Sequence, residues 1–164
     1  MGERSGEGSG SRRSFKRLAR REVAVLSLAG LVLLLATAGA LAVTGDLTQP
    51  AGSAGCVSET GTEACADGHG LRGPRSVAVS ADGKSVYAAS FFSDAVARLV
   101  RNTTTGAITQ PAGSAGCVSE TGAEACAHGH GLSGPRSVAV SADGKSVYVA
   151  SEKSGAVARF NRAP

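Results

Sequence analysis

The 164 residues contain no Trp, one Met and only six aromatic side chains, four Phe and two Tyr. Motifs of the commonest catalytic sites are missing too. There is no Gly-x-Ser-x-Gly elbow, no phosphate-binding glycine loop with its lysine and no His-Glu-x-x-His, which excludes the chemistry those patterns carry. Charge of one sign is scarce once its location is considered. The chain is +4 at pH 7, but residues 1–22 hold seven basic groups against three acidic ones, and from residue 23 onward ten face ten. The neutral remainder offers no basic patch to a phosphate backbone, which argues against nucleic acid as a partner. Glycine, in contrast, is in excess. Its 23 occurrences point to many turns and little long helix in a chain of about one ordinary domain.

The cationic leader, residues 1–22, is rich in Gly, Ser, Glu and Arg and reads as disordered. It precedes the uncharged stretch 23–44, VAVLSLAGLVLLLATAGALAVT, which has enough apolar residues to cross a bilayer as a helix. The triplets Ala38-Gly39-Ala40 and Ala40-Leu41-Ala42 fit signal-peptidase cleavage. Ser11-Arg12-Arg13-Ser14-Phe15-Lys16-Arg17 resembles a twin-arginine export motif, departing from it at Lys16. Two readings stand for 23–44: a cleaved secretory signal, or a retained membrane helix with the positive leader on the cytoplasmic side. Both place residues 45–164 outside the cytoplasm, at the cell surface, in the periplasm or in the medium.

Internal repetition dominates the rest of the chain. Residues 47–99 lie on residues 108–160 at a constant offset of 61, and of those 53 positions only nine differ: 47, 62, 67, 72, 88, 91, 92, 94 and 99. Two repeats, 47–107 and 108–164, are therefore expected. In each copy, Ser-Val-Ala-Val-Ser alternates ahead of an Asp-Gly turn and a second apolar run, the pattern of a hairpin. The strands expected in the first copy are Ser76–Ser80, Ser85–Ser90, Ala95–Val100 and Ala107–Gln110. In the second they are Ser137–Ser141, Ser146–Ser151 and Ala156–Phe160. Asp46–Gln49 matches the fourth of these, so a leading fourth strand is expected to complete the trailing three.

The run Gly73-Pro74-Arg75-Ser76-Val77-Ala78-Val79-Ser80-Ala81-Asp82-Gly83-Lys84-Ser85-Val86-Tyr87, and its copy ending Val147-Tyr148-Val149-Ala150-Ser151, resembles the repeats of bacterial β-propellers of the Tyr-Val-Thr-Asn type, grouped with the lactonase-like seven-bladed propellers. The resemblance implies an all-β fold, with each copy a four-stranded antiparallel blade. A propeller closes with four to eight blades, so two blades imply further ones, either from a longer chain of which this is a fragment or from a homo-oligomer.

Cysteines fall in equivalent pairs, Cys56 with Cys65 and Cys117 with Cys126, each spanning a Gly-containing polar loop. In an exported protein, even and locally paired cysteines read as disulfides. The neighbouring His69, His128 and His130 raise a metal alternative, but the spacing is no zinc pattern and an oxidising compartment opposes free thiolates. No metal and no cofactor is expected. Asn102-Thr103-Thr104 is a formal glycosylation acceptor that reads better as a turn. Were the lactonase resemblance to carry activity, the site would sit at the channel mouth, near His69, Arg75, His130 and Arg136. Arginine would hold an acidic substrate and histidine would act as general base. Residues common to both copies, however, serve the repeat. The leading expectation is an exported, non-enzymatic propeller module that binds a ligand or plays a structural part. The alternative is part of a 6-phosphogluconolactonase-type hydrolase.

Overall fold

In a computed structural model of the chain, residues 45–163 are described. The leader and the apolar stretch 23–44, with their readings as disordered segment, signal or anchor, lie outside them. Among the described residues no helix is long and apolar enough to cross a membrane. From Thr48 onward the chain forms one compact unit. It is nearly all β, and its helical structure is confined to the 3-10 turns Gly52–Ala54 and Gly113–Ala115.

The strands, in chain order, are β1 Val57–Ser58, β2 Ala66–Asp67, β3 Pro74–Val79, β4 Ser85–Ser90, β5 Ala95–Arg101, β6 Ile108–Thr109, β7 Cys117–Ser119, β8 Ala127–His128, β9 Pro135–Val140, β10 Ser146–Ser151 and β11 Ala156–Asn161. The first sheet runs β3-β4-β5-β7-β8, the second β9-β10-β11, and β1 pairs with β2 alone. The hairpins stand where the alternation places them, with Val77 opposite Ala88 and Val138 opposite Val149. Their Asp-Gly turns are built identically: Gly83 and Gly144 take positive φ, and the carboxylates of Asp82 and Asp143 accept the amides of Lys84 and Lys145.

The expected fourth strand is divided. Ile108–Thr109 pairs only with the far end of β5, through Val100 and Arg101. Pro111 cannot donate to a ladder, the chain then turns through Gly113–Ala115, and Cys117–Ser119 takes up the edge of β5 opposite Ala97, Val96 and Ala95. The cysteine segment, expected as loop, thus supplies a strand. Asp46–Gln49 forms none, and the second sheet has three strands among the described residues, not four.

The sheets stack face to face. Tyr87, Ala89 and Val96 of the first meet Val138, Val147, Val149 and Leu132 of the second, with Ala158 and Phe160 packed against them. Burying a valine or leucine of this core contributes about 1.5 to 3 kcal/mol. Ala88, Ala95 and Ala97 on the opposite face of the first sheet form a smaller cluster with Cys117 and Cys126, against which Leu71 packs.

Candidate functional site

Each sheet's first strand starts at a Gly-Pro-Arg triplet, and the turn after the second strand folds back over it. The Phe91 amide donates to the Gly73 carbonyl at 3.0 Å and the Glu152 amide to the Gly134 carbonyl at 2.9 Å. These bonds bring the tips of both turns to the strand starts, where the two sheets meet. Phe91 lies at the centre. The Arg136 guanidinium carbon and the Lys153 ammonium are each 4.5 Å from its ring centroid, and the Arg75 guanidinium carbon is 5.5 Å away. Phe92 meets Phe91 edge-on at 5.2 Å, and Arg136 pairs with Glu152. Three cations thus share one aromatic ring, and one of them, Arg136, is paired with a carboxylate. Each exposed cation–ring contact is worth about 0.5 to 1 kcal/mol. The cluster leaves an excess of positive charge beside the exposed ring of Phe92, a combination suited to an acidic group with an apolar part.

Arg75 and Arg136, singled out from the sequence, are therefore brought together, whereas the histidines are not part of this arrangement. The His69 ring Nε2 is 3.0 Å from the Gly113 carbonyl, and its amide donates to Gln110 Oε1 at 2.7 Å. The Gln110 amide returns hydrogen bonds to the carbonyls of His69 and Gly116 at 2.8 and 3.0 Å. His69 ties the first copy's loop to residues 110–116. His130 is exposed and lines a groove beside β11. Among the described residues no three His, Cys, Asp or Glu side chains are grouped to hold a metal ion. The cysteines are joined as Cys56–Cys65 and Cys117–Cys126.

Phe91, Phe92 and Lys153 escaped the reading from sequence. Their signal was nonetheless present, because 91 and 92 are among the nine positions at which the copies differ. Others of that set also act between the copies. Asp94, at φ +47°, accepts the Gly134 amide at 2.7 Å where the second copy has Gly155. Arg72, facing Glu124 at 3.7 Å, stands where the second copy has Ser133.

Electrostatic perturbation also concentrates between the copies. Hydrogen bonds from Ser80 first, then Arg162 and the Lys84 amide, hold the Asp82 carboxyl well below the ordinary carboxylate range. Asp143 is lowered by its own Ser141 and the Lys145 amide. Burial pushes Glu59 up, against the Leu71 amide that it accepts, and the nearby Glu124 charge adds to the rise.

No family model and no curated protein matches the chain. Among solved structures it is similar to a candidate 6-phosphogluconolactonase from Bacteroides uniformis, at 26% identity and a TM-score of 0.42, over 56% of this chain and 23% of that protein. It is also similar to the hydrazine synthase of Kuenenia stuttgartiensis, at 15% identity and a TM-score of 0.32, over 66% of this chain and 32% of that one. The chain thus spans less than a third of the length of the first protein.

Proposed function

We propose that the chain is an exported β-propeller repeat module whose two sheets are two blades of a larger ring, with a binding or structural role outside the cytoplasm. The observation that carries this reading is the stacking itself: equivalent stretches of two near-identical copies present opposite faces to one shared core. The chemistry-bearing groups serve that stack. His69 is committed to the Gly113 carbonyl, Arg162 to Asp82, and Asp94 to the Gly134 amide. Two disulfides and no free cysteine among the described residues support an oxidising compartment. The end at which Arg75, Arg136 and Lys153 surround Phe91 is the surface on which a ligand with an acidic group would sit.

The test is direct. The full chain, incubated with a panel of sugar lactones and with acidic, partly apolar ligands, is expected to bind members of the second set and to leave the lactones intact. Binding is expected to weaken in Arg136→Ala. Lactone turnover abolished by Arg75→Ala or Arg136→Ala would refute the non-enzymatic reading.

A further inference from the structure

The contact between the two copies is heterologous: one face of the first copy meets the opposite face of the second. Each face therefore has an equivalent at the other end of the stack, and among the described residues both equivalents leave large apolar side chains exposed. Tyr87 and Val96 are 7% and 5% exposed inside the junction, whereas Tyr148 and Val157, at the same repeat positions, are 39% and 69% exposed. On the opposite face Val138 is 6% exposed and its equivalent Val77 is 63% exposed. The charges follow suit. Arg162 of the second copy donates to both oxygens of Asp82 of the first, and the equivalents Asp143 and Arg101 take part in no ion pair among the described residues.

The backbone repeats the pattern. In the first sheet β7 covers the edge of β5, pairing Val118 with Val96. Among the described residues the equivalent edge, β11, pairs only with β10, and the equivalent strand, β1, pairs only with β2. Along β11 runs a groove of about 460 Å³ lined by Val118, Ala127, His130, Gly131, Val157 and Phe160. The first copy shows what such a space holds. A Cβ added at Gly70 would meet the Cys117 and Cys126 sulfurs at 3.3 and 3.2 Å, whereas one added at the equivalent Gly131 would meet the Ala156 and Ala158 side chains. The groove is the place of a disulfide and its strand.

We propose that a second copy of this chain docks there. Its β1 pairs with β11, setting Val57 opposite Val157. Its Cys56–Cys65 loop enters the groove beside Gly131, its Val77 and Val79 cover Tyr148 and Val157, and its Arg101 takes Asp143. Heterologous contacts of this kind propagate head to tail and end in a closed ring when the rotation permits. The inference rests on the stacking proposed above but not on the ligand end. A full chain that stays monomeric yet binds its ligand overturns this inference and leaves that reading standing.

Both faces are exposed in the single chain, so Val157→Asp and Val77→Asp each leave the fold intact, checked by circular dichroism and by the absence of free thiols. A charge buried at either face lowers association by at least about tenfold. In light scattering the full chain is expected to associate with rising concentration and each variant to remain a monomer. Mixed one to one, the variants are expected to form a dimer and nothing larger, because each keeps the face that the other has lost. In that dimer the amides of Val57 and of residues 156–158 are expected to exchange more slowly than in either variant alone. A monomeric parent chain, self-association of both variants, a mixture that stays monomeric, or unchanged amide exchange in the dimer overturns the proposal.

Discussion

The Arg162 guanidinium reaches across the junction between the copies to the carboxylate of Asp82, 80 residues earlier, donating through Nη2 to both oxygens at 2.9 and 2.7 Å. A second nitrogen, Nη1, donates to the Gly144 carbonyl of its own turn at 3.0 Å. One side chain thus reads the Asp-Gly turn of each copy, and with 7% of its surface exposed it is far less screened than an ordinary surface pair. The hydrogen bond to Asp82 raises the Arg162 pKa, just as Arg162 helps to lower that of Asp82.

This pair makes stability depend on pH with a definite sign. A carboxyl whose folded pKa lies below its unfolded value adds stability above that value and loses it as pH falls. For Asp82, with an ordinary value of 3.8, the contribution is full at neutral pH and declines below about 4. Asp82→Asn is therefore expected to melt at lower temperature than the parent chain at pH 7, with the gap closing as the buffer is acidified below pH 4. Asp143→Asn removes an equally placed carboxylate, lowered by its own serine and turn amide but with no arginine across a junction. Measured at dilutions where the chain is monomeric, so that no second copy supplies Arg101, it should cost less at pH 7. Equal losses in the two variants would show that Arg162 contributes nothing through this pair.

Leu71 and Leu132 occupy equivalent positions with different surroundings. Leu132 is fully buried in the core between the sheets, whereas Leu71 only partly packs against the small alanine–cysteine cluster. Leu132→Ala is expected to cost about 3 to 4 kcal/mol, within the range for a buried leucine. In the monomeric chain Leu71→Ala should cost about 1 to 2 kcal/mol, in line with its smaller buried area. Urea unfolding of the two variants checks the ordering, and a reversal would mean that the shared core is not the main one.

That contrast also marks how far the sequence is legible. The hairpins of both copies follow from the alternation Val-Ala-Val and the Asp-Gly turn, local features that each copy carries in full. Which copy would be covered was not written locally. Val77 and Val138 sit in the same heptapeptide, Pro-Arg-Ser-Val-Ala-Val-Ser, and differ in exposure because only the second has a sheet against its face. The divided fourth strand was hidden for another reason: three residues, Cys117–Ser119, are too few to show an alternation, and they pair with the first residues of β5, Ala95 to Ala97, after Ile108–Thr109 has taken its far end. At the candidate site, Arg75 and Arg136 were legible from their place at the strand starts. The ring that unites them was legible only as a difference between copies, at positions 91 and 92.

Phe91→Ala removes that ring from beneath Arg75, Arg136 and Lys153 together. Three exposed cation–ring contacts and the edge-on contact with Phe92 are involved, for an expected loss of about 1 to 2 kcal/mol. Phe91→Tyr keeps the ring and should stay within about 0.5 kcal/mol of the parent chain. Phe91→Glu, which installs the residue found at the equivalent position 152, restores opposite charge near the cations and should lose less than alanine. Chemical denaturation of the three variants orders them. Equal stability of alanine and parent chain would show that the cations do not depend on the ring.

The two disulfides separate loop closure from packing. Both close loops of the same size, with a sequence separation of 9. Chain entropy therefore assigns each roughly 2.5 to 3 kcal/mol. Their surroundings differ: Cys117 and Cys126 are buried with Ala88, Ala95 and Ala97, whereas Cys56 and Cys65 are only half-buried. In the monomeric chain, replacing Cys56 and Cys65 together by alanine is expected to cost about the entropic amount alone. The same replacement at Cys117 and Cys126 also empties sulfur volume from a packed cluster, and should cost about 1 to 2 kcal/mol more. It further loosens the strand that covers β5, so the amides of Val96 and Val118 should exchange faster in this variant and not in the first. Equal losses in the two double variants, measured by unfolding without reductant, would assign the whole effect to the unfolded chain and none to the cluster.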